Sequence, residues 1–388
     1  MTTEPADPPV DVATEPPASD HTDVPLAVDT VTDVAPELGS PEVLSSAAHG
    51  FPWVRAAAWV VVFAVLIILP FTMAEFRVEQ MCGWIALAIA ACGLNILTGY
   101  NGQISVGHGA LYGVGAYTTA LIVTNWQWPL LLATVASAVV CFVTGLLIGL
   151  PALRIKGLYL ALVTLAVATL FPLAIDQFAS FTGGSSGLSL TSPEMYRGAI
   201  RDRPVRFDPP GGLASDQWKY FIFLAIAALC FLLSRNLIRS RVGRTLVAIR
   251  DNDTASEVSG IPVSRVKIIA FGVSAGLAGI GGSIFALNSG RVNPSSFTIA
   301  VSIYFLIAVV VGGAASIVGP AIGAVFYGVF IDIITPELPE SLKPATPVIL
   351  GVILILLMLV APGGIVGLWK VSMHKLAVRR ARSSAPVT

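Results

Sequence analysis

IIAFGVSAGLAGIGGSIFAL, residues 268–287, runs for twenty positions without a charged side chain. An α-helix of that length covers about 30 Å, the depth of the hydrocarbon core of a bilayer. A second apolar run, FIFLAIAALCFLL at 221–233, comes before it, and between the two lies a polar island, AIRDNDTASEVSGIP at 248–262. The whole chain follows the same habit. Of its 388 residues 55% are hydrophobic and only 12% charged, with a mean hydropathy of +0.80, whereas soluble domains carry about 25% charged residues. The fold class that follows is all-α: a polytopic integral membrane protein. Lipid forces the backbone to satisfy its own hydrogen bonds, which a spanning helix does. A barrel would alternate apolar and polar residues along short strands, and these runs are continuously apolar.

Ten spans are predicted, at 56–74, 80–98, 104–123, 128–150, 157–176, 218–235, 267–289, 297–314, 319–335 and 346–368. The third is glycine-rich and the ninth holds Asp332. A carboxylate at mid-membrane costs about 2.5–3.5 kcal/mol on insertion scales. Asp332 therefore faces protein or water or sits near the interface, and the ITPELPE that follows makes the interface the simplest reading.

Lys and Arg set the orientation. Arg235, Arg239, Arg241, Arg244, Arg250, Arg265 and Lys267 lie between spans six and seven, Arg154 and Lys156 between four and five, and Lys370, Lys375, Arg379, Arg380 and Arg382 after the last. With ten spans all three groups share one side, so both termini are expected in the cytoplasm and the loop 177–217 outside. Trp126, Trp128, Trp218 and Trp369 fall at span ends, where amphipathic rings prefer to sit.

The organisation expected is a tail at 1–52, a membrane domain at 53–370 that includes an internal loop at 236–266, and a basic tail at 371–388. The first fifty residues hold ten Asp or Glu, no Lys or Arg, and many Pro and Thr. Such a segment buries too little surface to offset its ordering entropy and is expected to be disordered. It lacks the basic start and apolar core of a signal peptide. The four cysteines, Cys82, Cys92, Cys141 and Cys230, lie in apolar runs with no CxxC pair and read as small buried hydrophobes. The histidines are scattered, so neither a metal nor a cofactor is expected, and nothing points to nucleic acid.

The polar island suggests short helices. Leu246, Val247 and Ile249 among arginines give an amphipathic turn or two. Thr254 and Glu257 match the S/T-x-x-E capping box, Gly260 suits a left-handed helix end, and Pro262 prevents continuation. A compact helix–turn–helix element is expected, with an ordinary loop as the competing reading.

The glycine-rich segment around Asn101–Gly109 offers Gln103, Ser105, His108 and Tyr112 as groups lining a polar path. Close packing competes as an explanation of the glycines, at Gly109-xxx-Gly113, Gly145-xxx-Gly149, Gly272-xxx-Gly276 and Gly319-xxx-Gly323. His108 can equally be a buried histidine bonded to backbone.

Several stretches together resemble the permeases of bacterial ABC importers for branched-chain amino acids, the LivM-type subunit above all. They are NILTGYNGQISVGHGALYGVGAYTTAL (95–121), GLYLALVTLAVA (157–168), TGGSSGL (182–188), SRVGRTLVAIRDNDTASEVSGIPVSRVKIIAFGVSAGLAGIGGSIFA (240–286), VVGGAASIVGPAIGA (310–324) and APGGIVGL (361–368). The resemblance covers roughly 80–368. The island reads Ser256-Glu257-Val258-Ser259-Gly260 where coupling loops of ABC importers often carry Glu-Ala-Ala. The resemblance implies a permease subunit working with a second permease, two ATP-binding subunits and an external substrate-binding protein, for which 177–217 is a plausible contact. It makes the island a coupling element, with Arg244, Arg250, Glu257 and Gly260 as docking or shaping residues; simple inside-positive anchoring competes for the arginines.

The chain contains no GxxxxGK[ST], hence no recognisable phosphate cradle, and ATP hydrolysis is expected in a partner. A urea or short-chain amide permease is the nearest alternative. An ion-coupled secondary transporter would need several intramembrane acids, and the spans are almost uncharged.

Overall fold

The structure, a computed structural model, describes residues 52–151, 158–190, 214–361 and 363–369. The acidic tail, the turn bearing Arg154 and Lys156, residues 191–213 of the long loop, and the basic cluster from Lys370 onward lie outside the described residues.

Helix follows helix through the chain. α1 is Pro52–Thr72, α2 Glu75–Asn95, α3 His108–Trp126, α4 Leu130–Gly149, α5 Leu158–Gln177 and α6 Ser215–Arg239. Two short helices, α7 Arg241–Asp251 and α8 Asp253–Val258, lead to α9 Val263–Ser289, then α10 Ile299–Gly312, α11 Gly319–Val329 and α12 Thr346–Val360. Two of them run on into π-turns: α2 into Ile96–Tyr100, and α11 into Phe330–Ile334.

Each predicted span coincides with a helix, but not every one is an equal crossing. Seven described segments are long and apolar enough to span a bilayer, and Phe63–Thr72 and Ile299–Gly312 are shorter apolar helices. The predicted third span is corrected at its start: helix begins at His108, and 101–107 is not helical. At fourteen residues α10 is only about 21 Å long. It falls short of a 30 Å core, so its connection to α11 has to find hydrogen-bond partners against the bundle.

The central helix is α9, which packs against α2, α3 and α4. It is apolar or small all round, as a fully surrounded helix must be. Small residues set its spacing. A Cβ on Gly115 of α3 would lie 2.5 Å from the Cα of Gly279, and one on Gly145 of α4 would lie 3.1 Å from the Cα of Gly272. With so little side chain between the backbones, hydroxyls bridge them. Ser137 Oγ lies 3.0 Å from the Gly115 carbonyl oxygen and 2.9 Å from that of Gly279. Thr134 and Ser283 hydroxyls meet at 2.9 Å, and Ser274 Oγ donates to the Gly93 carbonyl at 2.8 Å. All four cysteines are buried and free.

Asp332, expected near the interface, is half-buried close to the end of its helix. It lies on the π-turn after α11, and the Trp84 indole Nε1 donates to its Oδ2 at 2.6 Å. At the far end of α9 from α8, a two-residue ribbon pairs β1 Leu188–Ser189 antiparallel with β2 Arg291–Val292.

Candidate functional site

Two features of the chain meet at one end of the bundle: the polar island, and a pair of breaks in the long helices. The island folds as two helices. Ser240 caps α7, its Oγ accepting from Val242 N at 3.2 Å. Leu246 and Ile249 are buried, fixing α7 by its apolar face, while Arg244 on the other face is exposed.

The predicted capping box at Thr254 and Glu257 is not what starts α8. Asn252 is the N-cap, its Oδ1 accepting from Ala255 N at 3.0 Å, so Thr254 lies inside the helix. An Asn two residues earlier competes on equal chemical terms for the free N–H groups, and its backbone there is extended. α8 ends at Gly260, which has φ +80°; its N–H bonds the Glu257 carbonyl, and Ile261 N bonds the Ser256 carbonyl at 3.1 Å. That is the left-handed terminator expected of a glycine after a helix. Lys267 on α9 pairs with Asp253 at 2.5 Å and fastens the start of α8 to the bundle. Ser256 is buried beneath the element, while Thr254, Ala255, Glu257 and Ser259 are exposed and Val258 is 85% exposed.

Immediately beside α7 the chain between α2 and α3 is unwound. Asn101, Gln103 and Ser105 are buried, whereas Gly102 and Ile104 are exposed. Burial thus alternates with a period of two, so that the polar side chains point into the protein. The backbone of the segment is well bonded: Gln103 N to Leu97 O at 3.1 Å, Val106 N to Thr164 Oγ1 at 3.0 Å, and Gly109 N to Ser302 Oγ at 2.8 Å. The side chains are not. Both polar atoms of the Asn101 side chain, Gln103 Oε1 and Ser105 Oγ are buried without a hydrogen-bond partner. Buried polar groups are nearly always paired, and these four atoms lie on the inward face of one short segment.

His108 begins α3. Its Nε2 lies 3.0 Å from the Ala90 carbonyl oxygen, which can only accept, so that nitrogen carries the proton. Nδ1 is left as a lone pair with no partner. The ring is thus held by backbone, the structural role that competed with path lining, while one acceptor remains free. Tyr112 stands apart from the polar run, in an aromatic cluster with Phe285, Phe297 and Phe305 at centroid distances of 5.7, 6.0 and 5.1 Å.

The second break is the α10–α11 connection, 313–318. It is tied to the first by Asn95, whose side chain is buried in α2. Its Nδ2 donates to Ser316 O at 2.8 Å and its Oδ1 accepts from Ala315 N at 3.0 Å. Ala315 is held at φ +57°, in the left-handed region that costs an L-residue about 1–2 kcal/mol.

Of the residues singled out in the sequence, Gln103, Ser105 and His108 come together in or beside the unwound segment, and Glu257 and Gly260 on the outer face of α8. Arg250, expected as a docking or shaping residue, is exposed on one side, and its Nη1 donates to the Gly99 carbonyl oxygen at 2.9 Å. Asn95 and Asn101 were overlooked; an amide beside or within an apolar span was the signal that could have found them.

A family profile described as "Branched-chain amino acid transport system / permease component" matches residues 81–361. The chain is 30% identical over 308 residues to the high-affinity branched-chain amino acid transport system permease protein LivM of Salmonella typhimurium, covering 76% of this chain and 71% of that one. The LivM protein of Escherichia coli K12 is equally similar. The permease protein LivH of Salmonella typhimurium is 27% identical over 307 residues, covering 75% of this chain and 96% of its own. No solved structure matches the chain.

Proposed function

The chain belongs to the branched-chain amino acid transport system permease family, and from that premise we propose that it is the membrane-spanning subunit of an ABC importer that takes up branched-chain amino acids. The observation that carries this reading is the α7–α8 element. It is capped at both helix starts, buried on one side, pinned by Lys267 and Asp253, and open on the other side around Glu257 and Val258. A stiff element with an open face is what a motor subunit needs to push on; a floppy loop would absorb the movement.

The motor is a partner. One of two ATP-binding subunits lies in the cytoplasm against α8, with Glu257, Val258, Gly260 and the exposed Arg244 at the contact. A second, related permease completes the membrane part, and an external binding protein delivers the solute. This orientation places α7, α8 and both chain ends in the cytoplasm, as the distribution of Lys and Arg supports. Inside the chain, Asn101, Gln103, Ser105 and the free Nδ1 of His108 line the polar path. These groups are uncharged donors and acceptors, suited to passing a zwitterion on without trapping it, since conduction needs sites weak enough to leave.

Replacement of Glu257 by Lys together with Val258 by Asp tests the contact. Each change reverses the chemistry of the open face and touches no buried group. Co-purification of the ATP-binding subunits and ATP-driven leucine uptake should both fall at least tenfold. Unchanged recruitment and uptake would remove α8 as the docking element. Uptake of urea without leucine by the wild-type complex would move the solute to the short-chain amide class.

A further inference from the structure

Resting on this transport reading, a further question is how a push on α8 reaches the path. Arg250 sits on the last turn of α7. Its Nε and Nη2 both donate to Asp251 Oδ1, at 3.2 and 3.1 Å, which sets the plane of the guanidinium. Nη1 then reaches across to the carbonyl of Gly99, in the π-turn that ends α2. The stem of the same side chain covers Gly102. A Cβ at position 102 would lie 2.8 Å from Arg250 Cγ and 3.4 Å from its Cβ, and Gly102 itself has φ +71°. Arg250 therefore holds the break between α2 and α3 at two points, by a charge-assisted hydrogen bond and by packing.

Gly99 passes the contact onward. A Cβ there would lie 2.6 Å from Ala315 N, and the backbone at 315–316 is bonded to Asn95 in the preceding turn of α2. One guanidinium thus joins the element that carries the docking face to both helix breaks. An arginine at a helix end often serves only its own last carbonyls and the helix dipole. Here the acceptor is 151 residues away, on another element.

We propose that Arg250 is the positioning residue that ties movement of α7 and α8 to the unwound segment, and so to the polar face of Asn101, Gln103 and Ser105. The tie requires arginine. A lysine ammonium is a point charge, without the planar fork that engages Asp251 and Gly99 together. Gly102 belongs to the same device, because any side chain there pushes the Arg250 stem out of place and strains the left-handed backbone.

The test uses the full complex in proteoliposomes: this chain, the sister permease, the ATP-binding subunits and the binding protein. Leucine uptake and ATP hydrolysis are measured side by side in wild type, Arg250→Lys, Arg250→Ala and Gly102→Ala. The tie predicts that ATP hydrolysed per leucine taken up rises about tenfold or more in all three variants, the range expected when a hydrogen bond to a charged group is lost. The ATP-binding subunits should still co-purify at the wild-type level. Arg250→Lys keeps the charge and most of the stem and is decisive if the alanine variant fails to fold. The double variant Arg250→Ala, Gly102→Ala should be no worse than the poorer single, since both act through one contact. An unchanged ratio in Arg250→Lys overturns the tie. So does loss of the ATP-binding subunits from that variant, which would make Arg250 a docking residue. A wild-type complex idle on leucine removes the transport reading and the tie with it, whereas a working wild type with indifferent variants removes the tie alone.

Discussion

Valine at position 282 should leave no folded protein to purify. Gly282 lies on α9 where that helix crosses α3, and a Cβ there would collide with the Tyr112 carbonyl oxygen and lie 2.9 Å from Ala116 N. Both are backbone atoms, so no rotamer change relieves the clash and the helices must part. Parting them also breaks the shared Ser137 hydroxyl contacts to Gly115 and Gly279 and opens voids along the central helix. Overpacking a core usually costs about 1–3 kcal/mol; with backbone on both sides the expected loss exceeds about 4 kcal/mol, comparable to a domain's whole stability. A fluorescent fusion followed by size-exclusion chromatography reads this directly. Gly351 is the control: nothing lies within 4 Å of a Cβ built there, so Gly351→Val should behave as wild type. A monodisperse Gly282→Val peak at wild-type level would contradict the packing described.

The second large effect is expected at Asn95. Replacing it by alanine removes the partner of both Ala315 N and Ser316 O. Ala315 and Ser316 are half-buried, so each lost hydrogen bond costs about 0.5–1.5 kcal/mol net, and the left-handed Ala315 loses what holds it. The melting temperature of the purified chain should drop by several degrees, and leucine uptake should fall more than the loss of folded protein accounts for, because the two breaks are no longer joined. Ala315→Gly in the same background should recover part of the stability, since glycine adopts φ +57° without strain. An unchanged melting temperature in Asn95→Ala would mean that the two breaks are held by something else.

The parts legible in the sequence were those decided by local composition. Runs such as 221–233 and 268–287 are too long and too apolar for anything but buried or spanning helix, and each predicted span found its helix. Gly260 as the end of α8 was readable because only the backbone matters there: nothing lies within 4 Å of a Cβ at that position, yet φ is +80°. The misreadings were of two kinds. The span predicted from 104 takes in 104–107, which are not helical, although the alternation of Asn101, Gln103 and Ser105 with Gly102 and Ile104 already has a period of two. At 254–257 a local motif matched, but Asn252 reached the free N–H groups first.

The contacts that organise the site were beyond any local reading. Asn95 meets Ala315 across 220 residues, Trp84 meets Asp332 across 248, and Arg250 meets Gly99 across 151. Each partner is a single polar group in apolar or ordinary surroundings, and its role exists only once the helices are packed. This is why Arg250 reads as one more cytoplasmic cation in the sequence and as a bridge in the structure.

The central claim is that this chain is a gate without a motor, moved from one end through α7 and α8. Purified and reconstituted alone into vesicles with ATP and leucine, it should accumulate nothing, and it should accumulate leucine only when the sister permease, the ATP-binding subunits and the binding protein are added. ATP-dependent accumulation of leucine by the chain alone would contradict the account.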